Sequence, residues 1–506
     1  MTFARVSVAT LLVAAAVAPV ARAGQAALPP AAPRVLRVTS SADDESAGTL
    51  RWAIETSNAT AELETIAIEV SGGSVAITPK SALPAIKGPV QIVGTAWRRT
   101  GEYSVIDGSG YIPAGGPESC PGATAGQSGA NVRTMTSPGL QLVDTADVDI
   151  SGIEIRRFCI GILINRARGV VVHDSRITGN RGGAGIMLTG DDGQGNPTST
   201  TTIHNKVLRN QFVDNGDGLE LTRGAAFNLI ADNLFRSTAA NPEPSQGIEI
   251  LRGNDNVVSG NRFEGYSDGL QINWGDRNYI VANTFTDNTF GLNLTGIGNI
   301  VDSNVVTGNR IGIVVRPAEP SPLVRLTRNR ISGNGRDIRR CEAGGSCDPA
   351  LVRGPIVFGL AGLEHAGFVG SRGRGVTSTP ATLQHICPEN APQCQAAPNR
   401  ALARPKLTTS RSTAGEVTVS GTLTGSPATR YVVEMFGNTE ADGAESELYL
   451  DENAVYTDAA GVASFTMRID LGRADRVRSL TATITSDVGA TSALSEALPL
   501  KAPQSR

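Results

Sequence analysis

Aromatic residues make up only 4% of this 506-residue chain, and helix-friendly runs of Leu, Lys and Glu are few, which argues against a helical bundle. Lys and Arg (45) are slightly outnumbered by Asp and Glu (48), a formal net charge of −3 with no polybasic run. Such a chain has no basic field for nucleic-acid phosphates or anionic lipid, so neither is expected as a partner. The four histidines, His173, His204, His365 and His385, are scattered and no C-x-x-C pair accompanies them. A structural zinc site is therefore not expected, and neither is a Walker-type phosphate loop or a serine-triad enzyme. Beyond the N-terminus no apolar run is long enough to span a bilayer.

What is abundant is glycine, 58 residues, in the pattern of a turn-rich all-β chain. The N-terminus opens with Arg5, continues through an apolar stretch from Val6 to Ala18 and offers Ala21-Arg22-Ala23 as a small-x-small cleavage site. This is the pattern of a secretory signal peptide over residues 1–23, and the mature chain is expected to be secreted or periplasmic. Six cysteines, an even number in an exported chain, then suggest disulfides. Cys341 with Cys347 and Cys387 with Cys394 would close short loops and leave Cys120 with Cys159, although six cysteines permit 15 pairings.

The most informative feature is a repeat. The phrase Asn-x-apolar-x-x-Asn-x-apolar places its first Asn at 228, 256, 278 and 299 and its second at 233, 261, 283 and 304, steps of 28, 22 and 21 residues in both series. A Gly-apolar phrase marches alongside at Gly161, Gly185, Gly218, Gly247, Gly269, Gly291 and Gly312. A period near 22 gives roughly 70 Å of extended chain, enough for one closed circuit of three short strands and three turns. Alternation within strands, as in Gly247-Ile248-Glu249-Ile250, points one side chain inward and the next outward. Asn at fixed turn positions tolerates left-handed backbone and bonds the neighbouring coil, so the ladder is read as structural. The expectation is an all-β fold, a right-handed parallel β-helix. Its open N-terminal end needs a cap, and Gly48 to Asn58 reads as a short amphipathic helix with Leu50, Ala53, Ile54 and Ser57 on one face.

After Asn334 the repeat decays into a Cys-, Gly- and Pro-rich stretch. Short alternating runs return at Glu416–Ser420, Arg430–Phe436, Ala463–Ile469 and Ser479–Ile484, separated by turn signals. The expected organisation is a β-helix with its cap over 24–340, a cap and linker over 341–405, and an immunoglobulin-like β-sandwich over 406–506.

Thr49-Leu50-Arg51-Trp52-Ala53-Ile54 resembles the S-L-R-x-A-I motif of bacterial CSLREA-type exported proteins, without the cysteine that opens that motif. The Asn and Gly-Ile coils resemble the right-handed β-helix repeats of the pectate-lyase-like superfamily, and the segments 430–436 and 457–465 resemble the C-terminal module of those proteins. The resemblance implies a fold much more than an activity.

Aligning coils on the Gly-apolar phrase puts Glu220, Glu249, Gln271 and Asn293 in one outward column, with Thr222, Asn273 and Thr295 near a second and Arg223, Arg252 and Trp274 one step later. Coils about 4.8 Å apart make the two glutamates neighbours. On this reading the face is a glycan groove: Glu220 and Glu249 act as the acid–base pair, and Arg223 and Arg252 clamp acidic groups. Trp274 stacks on a sugar ring, and Asp217, Asp268, Gln271, Asn273 and Asn293 bind substrate. The spacing suits a retaining glycoside hydrolase. A lyase would need a base and a cation; Lys206 is the only lysine in the clear repeat, so Arg223 or Arg252 would serve, or the carboxylates would hold Ca2+. His173-Asp174 matches only a fragment of an epimerase motif. Two functions follow: a polysaccharide lyase or hydrolase, and a noncatalytic surface or adhesion protein displaying its C-terminal module. The chain is expected to act as a monomer on a polysaccharide or cell-surface glycan.

Overall fold

The structure, a computed structural model, describes residues 34–71, 75–112, 120, 137–190, 202–335, 354–358 and 398–500, apart from 243, 317, 319, 414, 444 and 473–475. Residues 1–23, expected to be a signal peptide, the cysteines at 341, 347, 387 and 394 and most of the stretch 341–405 lie outside the described residues.

The circuits close as the period predicts. Three parallel sheets of 11, 10 and 9 strands stack along one axis, each complete circuit giving one strand to each sheet and the first two coils none to the third, so the body is a right-handed parallel β-solenoid of about nine turns. Its inside is continuous apolar stacking. Phe212, Phe235, Phe263 and Phe285 occupy one register column with ring centroids 4.4, 4.9 and 4.6 Å apart. The Gly-apolar phrase has a steric cause: a Cβ on Gly247 would lie 2.5 Å from the carbonyl oxygen of Gly269 and 2.6 Å from the Phe263 ring. Glycine lets the coil corner close onto the phenylalanine stack.

The asparagines form buried ladders at the turns. The Asn261 Oδ1 accepts from both the backbone N–H and the Nδ2 of Asn233 at 2.9 Å, and Asn233 Nδ2 also donates to the carbonyl of Val207. Each Asn thus satisfies turn peptides that would otherwise be buried without partners. A third ladder runs through Asn180 and Asn215 and again through Asn288, Asn309 and Asn334. Between these two parts, in the coils that carry Glu249 and Gln271, the position three before the coil glycine holds Pro244 and then Tyr266, whose N–H still donates to Asn288.

The helix Leu50–Asn58 forms where the sequence places it. Thr49 Oγ1 accepts from Trp52 N–H at 3.2 Å, and Leu50, Ala53, Ile54 and Ser57 are buried beside the strands Arg34–Val38 and Glu64–Ile68. Cys120 and Cys159 are joined by a disulfide.

Residues 406–499 build two antiparallel sheets of three and four strands whose facing residues, among them Val417, Val419, Tyr431, Val433, Met435, Phe465 and Ile484, share a core. The arrangement fits a β-sandwich. It abuts the last described coils: Ser446 exchanges backbone hydrogen bonds with Ile331 at 2.9 and 3.0 Å, Thr491 Oγ1 accepts from Leu326 N–H, and Asn399 bonds both the N–H and the carbonyl of Val324. Glu434, 1% exposed, accepts from the backbone N–H of Arg328 at 3.0 Å. No helix among the described residues is long and apolar enough to cross a membrane.

Candidate functional site

The third sheet carries the site. Its strands Asp217–Thr222, Gln246–Leu251, Asp268–Asn273, Phe290–Leu294 and Ile311–Val315 pair in parallel, and Glu220, Glu249, Gln271, Asn293 and Val314 stand in successive register. The polar part of this column is bounded by apolar residues on both sides. Met187 precedes Glu220 and Leu163 precedes Met187, both buried, while Val314 closes the other end with Phe290 and Ile311.

Asp217, Glu220 and Glu249 are each at most 8% exposed, and each offers a carboxylate oxygen within 4.8 Å of the other two. This trio could hold one divalent cation, Ca2+ included, since hard cations take carboxylate oxygens. Asp217 also accepts from Gln246 N–H at 3.2 Å. Asp217 and Asp268 are the first residues of their strands. The neighbouring glycines turn into the corner, which leaves both carboxylates on the outer face.

The remaining predicted residues form a network. Asn273 Nδ2 donates to Glu249 Oε1 at 3.0 Å and to Gln271 Oε1; Gln271 Nε2 donates to Asp268 Oδ2 at 3.3 Å, and Asn293 Nδ2 to Asp268 Oδ1 at 2.8 Å. Arg223, Arg252 and Trp274 occupy consecutive coil corners in left-handed backbone, with φ of 46°, 61° and 55°. Arg223 is buried, whereas Arg252 is exposed and its guanidinium lies 5.7 Å from the centroid of the half-exposed Trp274 ring. Thr295 accepts from Trp274 N–H at 2.8 Å, so it supports the corner rather than lining the face.

One functional side chain escapes the sequence reading. Arg316 follows the strand Ile311–Val315 and donates from Nε to Asn293 Oδ1 and from Nη2 to Asn273 Oδ1. The signal was present, because Arg316 lies four residues beyond Gly312 as Asn273 lies four beyond Gly269. A second phrase also passed unread: Gly265-Tyr266-Ser267-Asp268-Gly269 spells G-x-S-x-G. It is not a nucleophile elbow, since it opens a solenoid strand instead of a strand-to-helix turn, and the buried Ser267 hydroxyl bonds Asp268 at 3.4 Å.

His173 is away from this face, on the first sheet, in a cluster with Asp149, Asp174 and Arg209. The hydrogen bond to Asp149 and then the one to Asp174 outweigh burial and raise its pKa above the usual histidine value.

Residues 126–243 and 196–349 match the family model described as "Right handed beta helix region". Over 463 residues the chain is 54% identical to the 3-dehydroshikimate dehydratase of Acinetobacter baylyi, covering 91% of this chain and 93% of that protein. The chain belongs to the right-handed β-helix family that includes this dehydratase. Solved structures are far more distant. An alginate lyase from Paenibacillus sp. aligns with 56% of this chain and 94% of its own at 11% identity and a TM-score of 0.33. The enzymatically active domain of tailspike protein 2 from bacteriophage CBA120 aligns with 94% and 77% at 11% and 0.33. At these scores neither bears on what this β-helix protein does. Within the family, the 54% relative is named for a small cyclic acid and not for a polysaccharide.

Proposed function

We propose that this protein is a dehydratase of a small ring carboxylate, 3-dehydroshikimate or a compound of the same class, working on the face that carries Glu220 and Glu249. The observation that carries the reading is the direct register of these two buried carboxylates, in a chain 54% identical to a dehydratase along nearly its whole length. Dehydration of such a ring removes the C–H proton beside the ketone and the hydroxyl on the next carbon. A base takes the proton, an acid protonates the departing hydroxyl so that it leaves as water, and the resulting hydroxydienone, which keeps the ketone and a ring CH2, tautomerises by moving a CH2 proton to the ketone oxygen, giving an aromatic diol. Two carboxylates in one site divide these roles. Their closeness lets the proton gained by the base return to the acid after turnover. Glu249, held by the Asn273 amide, is the base and Glu220 the acid. Arg252, exposed and steadied by Trp274, is placed for the substrate carboxylate, which guanidinium recognises in a bidentate manner.

The test is incubation of the purified protein with 3-dehydroshikimate, following the ultraviolet absorbance of an aromatic product. Turnover that disappears in Glu249→Gln supports the reading; a folded protein with no turnover overturns it.

A polysaccharide on the same face is the second reading, favoured by the half-exposed Trp274 ring, which suits stacking on a sugar. A panel of acidic and neutral polysaccharides separates its forms: cleavage marks a lyase or hydrolase, and binding alone marks an adhesion or display protein. We also infer export to the periplasm or beyond. The N-terminal pattern and the Cys120–Cys159 disulfide support it, since disulfides persist in oxidising compartments. In the exported chain the helix Leu50–Asn58 closes the first coil. Mass determination of the mature N-terminus tests the cleavage after Ala23.

A further inference from the structure

We propose that Arg316 is a positioning residue of this site, setting the direction of two asparagine amides so that each delivers an N–H to a carboxylate. The proposal rests on the reading of Glu249 as the base. Arg316 is anchored by its own backbone N–H, which donates to Leu294 O at 2.8 Å. Its guanidinium then runs back along the column, Nε to Asn293 Oδ1 and Nη2 to Asn273 Oδ1.

A guanidinium has donors only, so it accepts no amide nitrogen as a partner. Both asparagines must therefore turn their oxygens toward Arg316 and their nitrogens away from it. Asn273 Nδ2 then faces Glu249 Oε1 at 3.0 Å and Gln271 Oε1, and Asn293 Nδ2 faces Asp268 Oδ1 at 2.8 Å. A flipped Asn273 would set N–H against N–H at Arg316 and carbonyl against carboxylate at Glu249. One donor-only group at the end of the column thus polarises the whole network. Tying Oε1 of Glu249 fixes the plane of its carboxylate, and proton abstraction from carbon depends steeply on that aim.

The experiment compares Arg316→Met, Arg316→Lys, Asn273→Leu and the double variant Arg316→Met/Asn273→Leu in steady-state turnover of 3-dehydroshikimate. The expected result is a loss of kcat on the order of 100-fold in Arg316→Met with KM little changed. Arg316→Lys, whose head is also donor-only, is expected to stay within about tenfold of the parent. The double variant is expected to lose no more than the worse single one, because both act on Glu249 through one path. Losses that multiply, or a change confined to KM, overturn the proposal while leaving the dehydratase reading intact. If the parent protein does not turn over the substrate, that reading has failed, and crystal structures of the parent and of Arg316→Lys and Arg316→Met decide the relay alone. Loss of the Asn273–Glu249 contact in Arg316→Met but not in Arg316→Lys supports it, and a contact that survives in both overturns it.

Discussion

Glu220 faces Glu249 across a single coil step, in direct strand register and with both side chains buried on the outer face of the third sheet. A solenoid repeats its backbone every coil, so any residue type that recurs at one register position is stacked on itself. For phenylalanine this stacking is favourable; for glutamate it sets two acidic side chains against each other, the pairing on which the proposed site rests.

The first prediction concerns this pair. Glu220→Gln and Glu249→Gln are expected each to lower kcat by a factor on the order of 100 to 10,000, the usual contribution of a positioned acid or base. Neither should lower the melting temperature, because each exchange keeps shape and removes one of two neighbouring acids. Kinetics beside thermal melts checks both statements, and a variant that melts early while keeping its rate would assign the pair to stability instead.

The second concerns the ladder. Replacing Asn261 by Ala removes the acceptor for the Asn233 N–H and Nδ2 and the donor to Ile230 O, all buried. The orphaned groups should cost roughly 2–4 kcal/mol. Chemical unfolding measures this, and activity in the folded fraction should be preserved, since the ladder lies at the turns and not on the face that carries Glu220 and Glu249.

How much of this was legible in the residues follows from periodicity. The register of Glu220, Glu249, Gln271 and Asn293 could be read by aligning glycines, because Gly218, Gly247, Gly269 and Gly291 hold the corner where a Cβ would strike the next coil. The asparagine ladders and the helix at Leu50–Asn58 were legible for similar reasons of fixed spacing and amphipathic pattern. The place of Arg316, four residues beyond Gly312, was legible in the same way, but its reach across two coils to Asn273 was not, because that depends on the path of a long side chain. The substrate class was not legible either. The same stacked carboxylates suit a sugar or a ring acid, and the fold carries many chemistries.

The third prediction is a pH dependence at the seam with the C-terminal sheets. Burial pushes the Glu434 carboxyl up to about 8, with Glu452 and Asp302 adding to the rise and the Arg328 N–H and guanidinium opposing it. The folded chain thus holds a proton that the unfolded chain releases near 4.5. Stability from this group is fully present below about 4.5, falls as pH climbs toward about 8 and is lost above it. Melting temperatures across that window should decline in the parent and flatten in Glu434→Gln, which keeps the acceptor for Arg328 N–H. A parallel decline in both would place the titrating group elsewhere.

The last prediction separates a ring acid from a sugar chain. Arg252 is exposed at a coil corner and stacked near Trp274, so neither residue supports the core, and Arg252→Ala should leave the melting temperature unchanged. If Arg252 receives the substrate carboxylate, its loss removes a charge-assisted pair, and KM for 3-dehydroshikimate should rise by roughly tenfold or more with kcat little altered. Trp274→Ala should raise KM less, since it only steadies the guanidinium. For a polysaccharide the order reverses: the ring itself would carry the contact, so Trp274→Ala would weaken binding more than Arg252→Ala, and a neutral glycan would bind as well as an acidic one. The ranking of the two variants on the two ligand classes therefore decides which chemistry this face serves, even in a protein whose turnover is slow.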